Sequence, residues 1–340
     1  MRNCFFACLV LFLLAAVGCK NSPAPNSNNR GFYYWKTSFE LNDSMGQMLH
    51  QWQVGHLFVR LFDVSWDNES LRVVPVGLLN RKGPFPEGVK VTPVVFITVE
   101  ALRHTHADNV HRLAAQLANL AKKITEGFGP ILTNEVQVDC DWTMQTKETY
   151  FALLDALRKE AFFAGKMLTV TIRLHQVKYI NESGIPPADR GLLMCYNMGT
   201  LRDPAAKNSI IDPATFQSYT GRLPQYPLPL DIALPLFDWW VWFRQNQYYG
   251  LVHAGRLPEE LAFGRTTVFS EDTLINGYQF LAGDWLRHEN SPIAAIEKII
   301  NLLPEKLKEG RTKLLLFHLD ETSLKNYSIH EIEDFYSRFD

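Results

Sequence analysis

A chain of 340 residues, 46% hydrophobic, can hold two average domains or one large α/β barrel of ~250 residues with extensions. Its formal net charge of −2, with no long basic run, leaves no electrostatic case for a nucleic-acid partner. None of its five cysteines stands in a C-x-x-C pair, so a zinc site of the Cys/His type has no support.

The N-terminus reads as a processing segment. Arg2 supplies a positive start, and Phe5–Ala16 is an apolar run too short to span a bilayer comfortably. Residues 1–18 are therefore expected to be a signal peptide. Residues 19–30, rich in Pro, Ser and Asn, form a polar tether with nothing to pack. Residues 31–340 then form the folded body.

Short apolar segments alternate with helical ones over nearly all of that body. The predicted strands are Phe32–Lys36, His56–Asp63, Val91–Thr98, Glu135–Asp141, Leu168–Leu174, Gly191–Asn197, Pro229–Leu234 and Lys313–Leu319. Between them, Val110, Leu113, Leu117, Leu120 and Ile124 recur at helical spacing, as do Tyr150, Leu153, Leu154 and Leu157. Ile296, Ile299, Ile300 and Leu303 do the same late in the chain. Eight strands with intervening helices predict a (β/α)8 TIM-type barrel, and no Gly-rich phosphate loop follows any strand, so no nucleotide cofactor is expected. The regular alternation fails at residues 237–291, which are too many for one βα unit and predict an insertion or subdomain between strands seven and eight.

The stretch Glu135–Thr143, EVQVDCDWT, carries the sharpest signal. Alternate residues of a strand share a face, so Gln137, Asp139 and Asp141 lie opposite Val136, Val138, Cys140 and Trp142. Buried unpaired carboxylates cost several kcal/mol, so an inward acidic face points to a site near a barrel mouth. The next strand repeats the pattern, with Thr169, Thr171, Arg173 and His175 on one face. Adjacent strands lie roughly 4.8 Å apart, which brings Arg173 within reach of Asp139 or Asp141.

Function in such barrels sits at the strand C-terminal ends. Those ends offer Trp35, Asp63 and Trp66, Glu100, Asp139, Asp141 and Trp142, Arg173 and His175, Tyr196 and Asn197, Asp231, and His318 and Asp320. Asp139 and Asp141 are the first catalytic candidates, with Glu100, Asp63, Asp231 or Asp320 as a partner acid from another strand end. Trp35, Trp66, Trp142, Arg173, His175, Tyr196, Asn197, Asp231, His318 and Asp320 are candidates for substrate binding, the tryptophans as platforms for sugar rings. His175, His318, Asp139, Asp141 and Asp320 include metal-ligand types, but without a ligand spacing, so no metal site is expected.

Ala16-Val17-Gly18-Cys19 resembles the bacterial lipobox, which implies acylation of Cys19, a membrane anchor and a place in the cell envelope at the outer membrane or its periplasmic face. Seven stretches resemble a family of bacterial (β/α)8-barrel lipoproteins, domain of unknown function 3142. They are YYWKTSF, LFVRLFDVSW, EVQVDCDWT, TIRLHQVKY, RGLLMCYNMG, YPLPLDIALPLFDW and LLFHLD, spread over residues 31–320. That resemblance implies the barrel and no activity. A more distant one is to chitinase-type glycoside hydrolases, whose fourth strand reads D-x-x-D-x-D-x-E and whose sixth carries M-x-Y-[DN]. Asp139, Asp141, Met194, Tyr196 and Asn197 match. Val136 replaces the first Asp, and Thr143 stands where the proton-donating Glu is expected. A threonine cannot protonate a leaving glycosidic oxygen. Glycans are thus the expected ligands, with either a hydrolase using another carboxylate pair or a non-catalytic glycan-binding or scaffold lipoprotein as the outcome.

Overall fold

The computed structural model describes residues 29–258, 261, 266–308 and 312–339. Cys19, the signal segment and most of the tether lie outside the described residues. Eight parallel strands make the body: β1 (Arg30–Tyr34), β2 (His56–Asp67), β3 (Lys90–Ile97), β4 (Glu135–Cys140), β5 (Met167–Arg173), β6 (Arg190–Met194), β7 (Leu230–Pro235) and β8 (Leu314–Phe317). Each pairs with its neighbour in sequence. β1 pairs with both β2 (Gly31 opposite His56) and β8 (Gly31 opposite Leu315), which closes the sheet into a barrel. Closure removes every edge from the parallel sheet, so its backbone groups are satisfied internally.

The predicted strands fall on these eight with small shifts that have local causes. β1 starts at Arg30, the last residue of the expected tether. Its guanidinium is buried and donates to the Trp52 carbonyl and to Glu333. β2 runs on to Asp67 because its far half forms an antiparallel hairpin with Arg72–Val76. That hairpin arm carries Trp66 beyond the barrel wall.

Helices coat the outside. The most useful here are α1 (Asp43–Gln51), α2 (Val99–Arg103), α3 (Val110–Thr125), α4 (Lys147–Leu157) and α5 (Leu174–Lys178). α3 buries Val110, Leu113, Ala114, Leu117, Ala118 and Ala121 in the stripe that its spacing predicts. α4 buries Tyr150, Leu153, Leu154 and Leu157. The outward face of β4 meets this layer, and the Tyr150 hydroxyl donates to the Val138 carbonyl.

Between β7 and β8, four strands at Trp239–Arg244, Gln247–His253, Thr266–Val268 and Trp285–Glu289 form an antiparallel sheet. It carries its own apolar cluster of Trp240, Trp242, Val252, Phe269, Phe280 and Leu286. Trp239 points the other way, packs on Phe237 and donates to Glu289. A buried Arg287–Glu289 pair ties this sheet to the loop after β6, because Arg287 also donates to the carbonyls of Leu201 and Asp203.

Candidate site at the barrel mouth

The inward face of β4 can be followed from floor to mouth through its partners. At the floor, Glu135 accepts from Thr169 and from the Lys313 ammonium. Beside it, Asp231 pairs with Arg190 at 2.9 Å and accepts from the Lys313 amide. One layer up, Gln137 accepts from the buried Tyr33 hydroxyl. Above that, Asp139 accepts from the Thr171 hydroxyl at 2.5 Å. At the top, Asp141 pairs with Arg173 at 2.9 Å, and Arg173 also donates to the Asn197 carbonyl at 3.2 Å. Asn197 turns the chain there with φ of 54°, a left-handed value that asparagine tolerates.

These upper residues line a cavity of about 170 Å³ with Trp35, Phe96, Met194, Tyr196 and Phe317. Phe317 is the hub of its aromatic wall. It lies 5.6 Å from Trp35 and 5.3 Å from Tyr196, ring centre to ring centre, and its peptide bond to His318 is cis. Trp35 also meets Phe96 at 6.1 Å, and the Arg60 guanidinium lies over the Trp35 ring. The cavity is smaller than the roughly 300 Å³ at which drug-sized pockets begin. It suits one ring-sized group rather than a chain of them.

The electrostatics divide the two aspartates. Burial, then the neighbouring Asp141 carboxylate, pushes Asp139 up to about 7, against the opposing pull of the Thr171 hydrogen bond and Arg173. Asp141 is 41% exposed and held by a guanidinium. The mouth therefore combines a carboxyl that holds its proton near neutrality with a salt-bridged carboxylate two residues on. Burial, then Asp139 and Asp141, raises Tyr196 well above the phenol range, so its hydroxyl stays neutral.

Of the residues expected at the site, Trp35, Asp139, Asp141, Arg173, Tyr196 and Asn197 come together in this cavity. Asp63 sits next to it, opposite Phe96 in the β2–β3 ladder, but both its oxygens are taken by Arg60. His175 lies in α5 beyond Arg173, where burial, then that guanidinium, lowers its pKa. His318 is pushed down to about 4, chiefly by burial, and does not line the cavity. Asp320 caps the short helix Glu321–Leu324 and pairs with Lys36 at 2.5 Å.

Four expectations need correction. Trp142 is 1% exposed, donates to the Ser183 carbonyl and stacks on Tyr150, so it offers no face to a ligand. β4 ends at Cys140, and the chain turns outward just past it. Asp231 stands second in β7, at the floor and not the mouth, where burial raises it to about 6 against the opposing pull of Lys313 and Arg190. Glu100 points outward from α2, exposed and engaged by Arg103 and His104. Trp66 lies on the hairpin arm stacked on His104, away from the mouth cavity. Thr143 is half-buried, its amide bonded to Thr146 as α4 begins. Phe96 and Phe317 are lining residues that the list of candidates lacked, because apolar residues at strand ends look like ordinary core, while Met194 entered only through its match to the sixth-strand motif.

Solved structures share this fold. The spore cortex-lytic enzyme SleL of Bacillus megaterium QM B1551 is 13% identical over 94% of this chain and 76% of its own, with a TM-score of 0.55. SleL of Bacillus cereus is 12% identical over 92% and 74%, at 0.54. A chitinase of Chromobacterium violaceum is 10% identical over 90% and 98%, at 0.54. At such identities the likeness is one of fold: a chitinase-type (β/α)8 barrel. No family model matches the sequence, and no curated protein does.

Proposed function

We propose that the barrel mouth handles carbohydrate, taking one sugar ring against the aromatic wall of Trp35, Tyr196 and Phe317 and hydrogen-bonding its hydroxyls to Asp139, Asp141 and Arg173. The observation that carries this reading is the pairing of that wall with an ion-paired carboxylate across a cavity of about 170 Å³. Flat aromatic faces suit the apolar faces of a pyranose, and charged partners strengthen hydrogen bonds to its hydroxyls. The fold shared with a chitinase and two cortex-lytic enzymes supports the same class of ligand.

In its first form the protein is a glycan-binding lipoprotein of the bacterial cell envelope, anchored through Cys19. Thr143, where a chitinase-type acid would stand, favours binding without turnover. Hydrolysis by the Asp139–Asp141 pair is the second reading, favoured by the raised pKa of Asp139, which would keep a proton available near neutral pH.

A glycan array run beside a long hydrolysis assay tests both readings. Wild type is expected to bind, and Trp35→Ala to lose at least tenfold in affinity. Product that disappears in Asp141→Asn would establish the enzyme, and the absence of any bound glycan would sink the proposal. The anchor is tested separately: Cys19→Ser should move the protein from the membrane to the soluble fraction.

A further inference from the structure

A second recess lies outside the mouth, between the hairpin arm of β2 and the start of α3. It measures about 560 Å³, more than three times the mouth cavity. Trp66 and His104 form one wall, stacked with ring centres 3.9 Å apart and planes 10° from parallel. Glu100 bonds His104 Nε2 at 3.0 Å and so holds that ring in place. Arg72 reaches the recess from the hairpin arm and Arg112 from the first turn of α3.

The charge balance of this recess is one-sided. Among the described residues, no carboxylate lines it, and neither Arg72 nor Arg112 has an ion-pair partner. The acids nearby are otherwise placed. Asp67, across the ladder from Arg72, turns both oxygens back onto the Ser70 hydroxyl and the amides of Glu69 and Ser70. Glu100 is taken by Arg103 and His104, and Asp108 stands on the turn ahead of α3 without lining the recess. Two guanidiniums without an ion pair beside an aromatic wall form a site for an anion borne on a ring. Thr105, Asn109 and Gln116 supply neutral polar groups along the same lining, as a hydroxyl-rich ligand would need.

We propose that this recess binds an acidic saccharide, its carboxylate or phosphate held by Arg72 and Arg112 and its ring placed against the Trp66–His104 pair. The proposal stands apart from the reading of the mouth, since the two cavities share no lining residue.

Titration calorimetry at low salt tests it with four probes: a galacturonate trisaccharide, the uncharged galactose trisaccharide, a hexose phosphate and inorganic phosphate. One or both acidic sugars should bind at least tenfold more tightly than the neutral trisaccharide and inorganic phosphate, and the stronger of the two identifies the anion. Affinity should fall with added salt, because both guanidiniums are exposed. The surface double variant Arg72→Gln/Arg112→Gln should lose tenfold or more while its circular dichroism is unchanged. The same titrations in the Trp35→Ala background, where binding at the mouth is weakened, should still show the preference for the acidic sugar, which separates failure here from failure of the mouth reading. Equal binding of charged and neutral trisaccharides, phosphate binding as tight as either sugar, no binding of any probe, or an unaffected double variant would each overturn the assignment.

Discussion

The two ends of β4 treat the same chemistry in opposite ways. At the floor, Glu135 is buried and met by Lys313 and Thr169, and Asp231 beside it by Arg190. At the mouth, the direct partner of Asp139 among the described residues is a hydroxyl, and the Arg173 charge goes to Asp141 in a half-exposed pair. The floor carboxylates are each ion-paired, with cations aimed at them. The upper pair is left with spare hydrogen-bonding capacity facing an open cavity. One strand with one alternation thus serves as a structural brace at its start and as a candidate site at its end. What distinguishes the ends is the supply of countercharge.

The largest expected effect breaks the floor. Lys313→Met strands Glu135 without its cation and should cost about 3–5 kcal/mol in urea unfolding. Adding Glu135→Gln should restore much of it, and a silent single variant would show that the floor pair is not a brace. The next effect sharpens the mouth. The acid form of Asp139 is favoured in the folded state, its pKa raised from 3.8 to about 7, so the native protein binds a proton that the unfolded chain releases across that window. The associated stability is full below pH 3.8 and is lost as pH rises towards 7. Asn mimics the protonated form, so Asp139→Asn should match wild type near pH 4 and gain stability by pH 8, by no more than ~4 kcal/mol at 1.36 kcal/mol per pKa unit. Thermal melts at the two pH values check this, and an equal gain at both would refute the linkage. The smallest stability effect belongs to Arg173→Gln. Its pair with Asp141 is 30% and 41% exposed, so the loss should stay below about 1 kcal/mol. Glycan affinity should nevertheless fall about tenfold. A variant that unfolds readily but binds normally would reverse the contrast between the two ends.

Much of the barrel was legible because buried parallel strands are short apolar runs bounded by turns, and eight of them alternate with amphipathic helices. The inward acidic face of β4 was legible for the same periodic reason. Periodicity does not say where a strand stops. Trp142 was assigned to the mouth as though β4 continued, whereas two residues past Cys140 the chain has turned into the helical layer. Asp231 stands early in the run Pro229–Leu234, so the common direction of parallel strands already sends it to the floor, and its charge alone does not make it an end residue. Trp66 is carried off by a hairpin arm whose partner strand, Arg72–Val76, is apolar but short, exposed or half-buried throughout and interrupted by Pro75. Phe317 shows a deeper limit. Leucine, isoleucine and phenylalanine at a strand end are written alike whether they fill a core or wall a cavity, and only the closed ring of strands tells them apart.

Parallel closure also fixes which end of the barrel the preceding chain joins. β1 enters the barrel at Arg30, on the floor, where its guanidinium meets the Trp52 carbonyl and Glu333 of the terminal helix Ile329–Ser337. From there the strand runs towards the mouth, as the other seven do. Any leash attached ahead of Arg30 therefore pulls on the underside. On the proposed anchoring through Cys19, the leash joins the barrel at the end opposite its opening.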